Sequence, residues 1–211
     1  TKKSIGLGTS IIANPTIPTS TTDAWKGSYV YFGTYNGSPI KYRVLDSDTT
    51  IFSNDNTTNT MLLDCDSLLF ESKFDDSSNE WATSYLKRYL NSEKGEGYDY
   101  SSEGFLTTAF TSSEQSAIAS STKIVDSSDG NEEIGRYFKW STLNDDKIFL
   151  LDAKEACNTS YGYSKVGGAI NRKKTGNNND TTSWWLRSAV IPVTNAIGIV
   201  SDEFLAFENS V

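Results

Sequence analysis

The clearest pattern lies near the start of the chain, where two alternating runs flank an Asn-Gly pair. Tyr29, Tyr31, Gly33 and Tyr35 fall on one side of the first run, with Val30, Phe32 and Thr34 on the other. Ile40 to Leu45 alternates again after Asn36-Gly37. Both residues of a two-residue hairpin turn must tolerate positive φ, and Asn-Gly does so, so the spacing predicts a β-hairpin. Thr60 to Leu63 reads as a further short strand. Over Glu80 to Leu90 the period changes: Trp81, Tyr85 and Tyr89 recur every fourth residue and Leu86 with Leu90 widens the stripe. This predicts an amphipathic helix with its aromatic side against a sheet, closed by Gly95 and Gly97.

Thr111-Ser112-Ser113-Glu114 has the spacing of a capping box and predicts a second helix, with Ala117 and Ile118 as its buried face. Residues 126 to 146 are polar and read as loop. Lys147 to Leu151 reads as a buried strand, and Asp152-Ala153-Lys154-Glu155 behind it as another capping box. Residues 171 to 183 form a Gly/Asn/Thr-rich loop. Trp184 to Arg187, Ala196 to Val200 and Phe204 to Phe207 read as three short strands. Residues 1–24 show no sustained period and are expected to be an extended lead-in or linker, followed by one domain over 25–211. Strands at both ends with two or three short helices between them predict an α+β fold of short mixed or antiparallel strands, the terminal strands meeting in one sheet.

Composition narrows the function classes. Aromatics supply 12% of the chain, enough for a real core at an apolar fraction of 36%. Ser, Thr and Asn make up roughly a third of it, a polarity common on exported and surface-displayed proteins. The net charge of −8 and the lack of a basic stripe argue against nucleic acid as a partner. The densest basic run, Arg172-Lys173-Lys174, reads as a solvated loop. No apolar run approaches the ~18 residues of a membrane span, so no membrane insertion is expected. Cys65 and Cys157 could form one disulfide or stay as two separate thiols, and the second fits their apolar surroundings better. There is no histidine, which removes the commonest general base and every Ser-His or Cys-His pair. Two cysteines alone cannot build a Cys/His zinc site. The adjacent acids Asp75-Asp76 and Asp145-Asp146 diverge on any regular element. The acidic stretch Asp126 to Glu133 lacks the spacing of a calcium loop. Neither catalysis, nor a metal, nor any other cofactor is expected.

The order of motifs resembles a known family. Trp25-Lys26-Gly27-Ser28-Tyr29-Val30-Tyr31-Phe32-Gly33 leads into Tyr42-Arg43-Val44-Leu45-Asp46. Trp81 to Asn91, Phe110 to Gln115, Lys147 to Leu151 and Trp184-Trp185-Leu186-Arg187-Ser188 follow. This succession is similar to a functionally uncharacterised domain family of bacterial surface and phage-associated proteins, whose members often sit beside immunoglobulin-like repeats. The family in turn resembles C-type-lectin-like domains, a group that includes the ligand-binding variable proteins of diversity-generating retroelements. The resemblance implies a C-type-lectin-like fold and an extracellular, cell-surface or virion-surface location, with immunoglobulin-like domains as expected neighbours. One departure stands out. The family closes with a Gly-Val-(Arg/Ser)-Pro-Ala segment, whereas this chain stops at Glu208-Asn209-Ser210-Val211, so the last strand is expected to be cut short or completed from elsewhere.

These readings converge on a non-catalytic recognition or adhesion domain that binds a protein or glycan. The expected ligand-binding residues lie on the C-terminal ribbon: Asn195, Ile197, Ile199, Asp202, Glu203, Phe204 and Phe207, with the 171–183 loop beside them. If Ala196, Gly198 and Val200 face the core, the isoleucines form an exposed apolar patch. Trp184, Trp185 and Arg187 are expected to be scaffold, Arg187 neutralising a carboxylate beneath the loops. The alternative is a structural spacer module of a surface or phage-fibre protein, which would show a polar ribbon and a self-association interface elsewhere.

Overall fold

A computed structural model describes residues 12–47, 60–123, 128–131, 136–139, 142–165, 168–176, 183–190, 196–200 and 203–207. Strands β1 (Tyr29–Tyr35) and β2 (Ser38–Asp46) form the hairpin, with Tyr35 opposite Ser38. Asn36 and Gly37 take φ of 49° and 76°, as a mirror-image turn requires. The alternation does not run unbroken through β1. A bulge between Tyr31 and Thr34 contains Gly33 at φ 67° and shifts the phase. Tyr29 and Tyr31 therefore point to solvent, while Tyr35 turns onto Phe70 and Phe105, and Phe32 onto Phe110. The four-residue face read from the sequence is split in two. β3 (Leu62–Cys65) pairs antiparallel with β2 and completes a sheet of order β1-β2-β3.

The periodic segment at 80–90 is not one helix. Trp81–Thr83 is a 3₁₀ turn, and Ser84, in extended conformation, caps a separate helix α1 (Tyr85–Leu90) by accepting from Lys87 N–H at 3.1 Å. The serine hydroxyl competes with the helical backbone and restarts the helix. Trp81, Leu86 and Leu90 are buried, whereas Tyr85 and Tyr89 stack on each other half-exposed, so the tyrosines are not the helix's buried face. A two-residue ladder, β4 (Lys94–Gly95) with β5 (Tyr98–Asp99), follows, and then α2 (Phe105–Ala109). Helix α3 (Ser112–Ala117) carries the reciprocal Thr111/Glu114 capping box. It buries none of its own residues; Ala117 is exposed and Ile118 only half-buried.

The stretch read as loop holds β6 (Ser121–Lys123), β7 (Ser128–Asn131), β8 (Arg136–Lys139) and β9 (Leu143–Asp146). Among the described residues, 147–151 join no ladder. Their backbone is served by side chains instead. Asn91 Oδ1 accepts from the N–H of Lys147 and Ile148, and Asn91 Nδ2 donates to Ile148 O. Asp152 and Glu155 exchange backbone bonds reciprocally at 2.8 and 2.7 Å, opening the 3₁₀ turn Glu155–Cys157. Strands β10 (Trp184–Val190), β11 (Ala196–Val200) and β12 (Glu203–Phe207) join a second sheet of order β12-β11-β10-β8-β7. Among the described residues the first and last strands thus belong to different sheets.

From residue 12 onward the lead-in lies on the domain. Thr16 N–H donates to Lys26 O, Ile170 N–H to Thr21 O, and Trp25 Nε1–H to Tyr161 O. The core gathers Ile40, Leu45, Leu62, Trp81, Phe105, Leu143, Tyr163 and Leu186 from both sheets, the helices and the connecting segments. The described elements make an α+β fold of short antiparallel strands. Cys65 and Cys157 are free thiols.

Candidate functional site

Of the expected ribbon residues, Asn195 and Asp202 lie outside the described residues. The side chains of Ile197, Ile199, Glu203, Phe204 and Phe207 lie outside them too, although their strands are placed. Ile199 stands between Trp184 on β10 and Phe204 on β12, Ile197 opposite Ala206, Phe207 opposite Ala196, and Glu203 opposite Val200. The ribbon is therefore the direct continuation of the strand that carries Trp184 and Trp185. In the 171–183 loop, Asn171 and Arg172 belong to the 3₁₀ turn Ile170–Arg172, and 177–182 lie outside the described residues. Of the acidic stretch 126–133, the backbone of 128–131 is strand β7 and the remainder lies outside the described residues.

The described residues enclose a cleft of 1370 Å³. Its walls come from three consecutive stretches, 60–65, 67–72 and 147–151, with Phe32 from β1, Phe105 and Phe110 from around α2, and Trp184 and Trp185 from β10. Leu68, Leu69, Phe70, Ile148, Phe149 and Leu150 are only half-buried and pack against the core from one side. Asp64, Glu71, Lys147 and Lys174 supply the charge at this mostly apolar surface. Sequence reasoning missed the site. Its one signal was a pair of apolar runs, Leu68-Leu69-Phe70 and Ile148 to Leu151, too long for an alternating strand and too short for a helix.

Two buried ion clusters fix the walls. Arg187, wholly buried, donates to Asp152 at 2.7 Å and to both oxygens of Glu155 at 2.6 Å, and also to Leu150 O at 2.5 Å. Lys123 joins the same carboxylates at 3.1 and 2.5 Å. Burial pushes the Glu155 carboxyl up, but the Arg187 and Lys123 charges outweigh it and hold it at about 2. At Asp152 burial, reinforced by the charge of Glu155, wins and raises the carboxyl above its ordinary value. In the second cluster Asp64 accepts from Tyr163 Oη–H and from Lys174 Nζ at 2.6 Å. Lys174 also lies 4.2 Å from the Trp184 ring centroid. Arg43 reaches Asp66 at 2.7 Å and the carbonyls of Asn171 and Lys173.

The basic run is therefore not a solvated loop. Arg172 is fully buried, donating to Ser164 O at 2.7 Å, and Lys174 is 5% exposed. One member of each acidic doublet bonds within the fold. Asp75 accepts from the N–H of Ser77, Ser78 and Tyr85, and Asp146 from Trp81 Nε1–H at 3.1 Å.

Burial pushes the Cys65 thiol up, against the weaker pull of Lys174 and the Ser67 backbone, which disfavours a nucleophilic thiolate. The Asp64 and Lys174 charges already neutralise each other. Among the described residues no group of three or more Cys, Asp or Glu could hold a metal ion, and no helix is long and apolar enough to cross a membrane. Among the described residues the buried indole N–H of Trp184 has no hydrogen-bond partner.

Comparison with curated proteins and with solved structures finds no match in either case. A family match covers residues 57–209, from just before β3 to just past β12. It includes the three cleft stretches and both carboxylates of the Arg187 cluster, and leaves the β1-β2 hairpin outside although β2 pairs directly with β3. On that match the chain belongs to the family described as domain of unknown function DUF6273.

Proposed function

We propose that this chain is a non-catalytic extracellular recognition domain, built on a C-type-lectin-like plan, that holds a protein or glycan ligand in the apolar cleft. The carrying observation is the cleft itself: 1370 Å³ bordered by half-buried Leu, Ile and Phe side chains. Contiguous apolar surface left uncovered at a rigid site marks a contact surface. The walls are tied in place, 60–65 and 147–151 by the ion clusters and Asn91, and 67–72 by Leu68 N–H to Thr175 O and Trp185 Nε1–H to Ser72 O, so little ordering cost remains for a ligand. The ribbon β11-β12 continues the sheet that supplies Trp184 and Trp185, and extends the contact surface beyond the cleft. No reaction is assigned, since the chain has no histidine and the cleft thiol is held protonated.

The test is a binding screen of the intact domain against glycan and extracellular-protein arrays, repeated with Leu69→Asp and Ile148→Asp. Both residues are half-buried in the cleft wall, so a new charge faces the ligand space. A ligand whose affinity falls by about tenfold or more in both variants supports the reading. A ligand held equally well by wild type and variants sinks it.

A further inference from the structure

The cleft lies over one face of the β1-β2-β3 sheet, where Val30, Tyr42 and Cys65 stand opposite one another, and reaches round the edge of β3. Side chains alternate across a strand, so a cavity over one face is lined by every second residue. Here every residue from Thr60 to Cys65 lines the cleft, residues of both faces, so the cleft wraps round this strand's edge. The hydrogen-bond register agrees. Asp66 N–H donates to Lys41 O, and Asp64 stands opposite Arg43, so the bonds between β3 and β2 fall at residues 64 and 66. By antiparallel alternation the N–H and C=O of Leu63 and Cys65 then point away from β2. Among the described residues β3 pairs with no strand other than β2. Beyond Cys65 the edge closes: Leu68 N–H donates to Thr175 O, and Ser67 and Thr175 form a parallel bridge.

From this geometry we infer that the cleft takes an extended polypeptide segment of a partner protein, added as a strand along β3. The inference rests on the reading that the cleft is the binding site, and narrows its ligand to one class. Backbone groups at Leu63 and Cys65 require a backbone partner, and apolar walls on either side require apolar side chains at alternate positions. The volume exceeds the ~300–1,000 Å³ of small-molecule pockets, which fits a peptide. The occupant is a tail or loop and not the β3 edge of a second copy. The β3 edge lies inside a cleft that 67–72 and 147–151 also line, a site for a single extended segment and not for the β3 of a second folded copy.

A displayed library of random peptides of about eight residues, the length of an ordinary strand, is the probe. Retained sequences are expected to alternate apolar and polar residues. The best peptide is then made with N-methyl groups on alternate amides, in each of the two registers. Methylation facing β3 should cost about tenfold or more in affinity, and methylation in the other register should leave binding within about twofold. Leu63→Pro, which removes one outward N–H, should weaken the unmodified peptide similarly. Equal tolerance of both methylated registers, retained sequences without alternation, or no retained peptide overturns strand addition. Peptide binding unaffected by Leu69→Asp would instead remove the cleft as the site, so the two readings fail separately.

Discussion

Arg187 carries its charge at zero exposure between Asp152 and Glu155, with Lys123 behind them. Removing one member of such a cluster leaves the others buried and uncompensated. Arg187→Met is therefore expected to cost about 3–5 kcal/mol in denaturant unfolding, although methionine packs well. Glu155 sets a pH dependence of definite sign. Its carboxyl is depressed from 4.5 to about 2 on folding, so its stabilisation is fully present above pH 4.5 and is lost as the pH falls toward 2. The loss is on the order of 3 kcal/mol. Asp152, raised on folding, works in the opposite sense. Glu155→Gln should be less stable at neutral pH and flatter across that acid window, measured by urea unfolding at a series of pH values. Arg187 was conspicuous in the sequence because it follows two tryptophans in a strand pattern. Arg172 and Lys174 were not. A run of cations in a polar segment looks the same whether solvated or buried, and only partners distant in sequence, Ser164, Ala156 and Asp64, make the difference.

At the scale of elements, local chemistry was legible wherever it is decided locally. Asn36-Gly37 and the two capping boxes depend on residues a few positions apart, and all three form. Helix α2, the β6-β9 pair and the stretch 147–151, which joins no ladder among the described residues, depend on distant partners, whereas β7 and β8 pair locally across a mostly polar segment; the sequence did not show any of them. The bulge at Gly33 is an intermediate case. Glycine in a strand run suggests a bulge, but the reason for it is Phe110: a Cβ on Gly33 would stand 2.4 Å from that ring. Gly33→Ala should therefore destabilise by roughly 2–4 kcal/mol, combining positive-φ strain with overpacking. Gly37, at φ 76° with open space around its Cα, should cost only about 1 kcal/mol as alanine. Thermal unfolding of the two variants side by side checks the contrast.

For the whole molecule the organising feature among the described residues is a cleft against the hydrophobic core. Aromatics from β1, α2 and β10 meet at a cleft bordered by β3 and by the irregular stretches 67–72 and 147–151, the last bonded to Asn91. Such a border was not legible in the sequence, because half-buried apolar runs outside any ladder have no period of their own. A ligand that binds the folded domain alone should raise its stability by about 2.7 kcal/mol when present at a hundredfold its Kd, which thermal shift would register. The most direct measurement is amide hydrogen exchange of the intact domain with and without a ligand from the binding screen. The account predicts slowed exchange within 60–72 and 147–151, centred on Leu63 and Cys65. Protection elsewhere that leaves the cleft amides unchanged would contradict it.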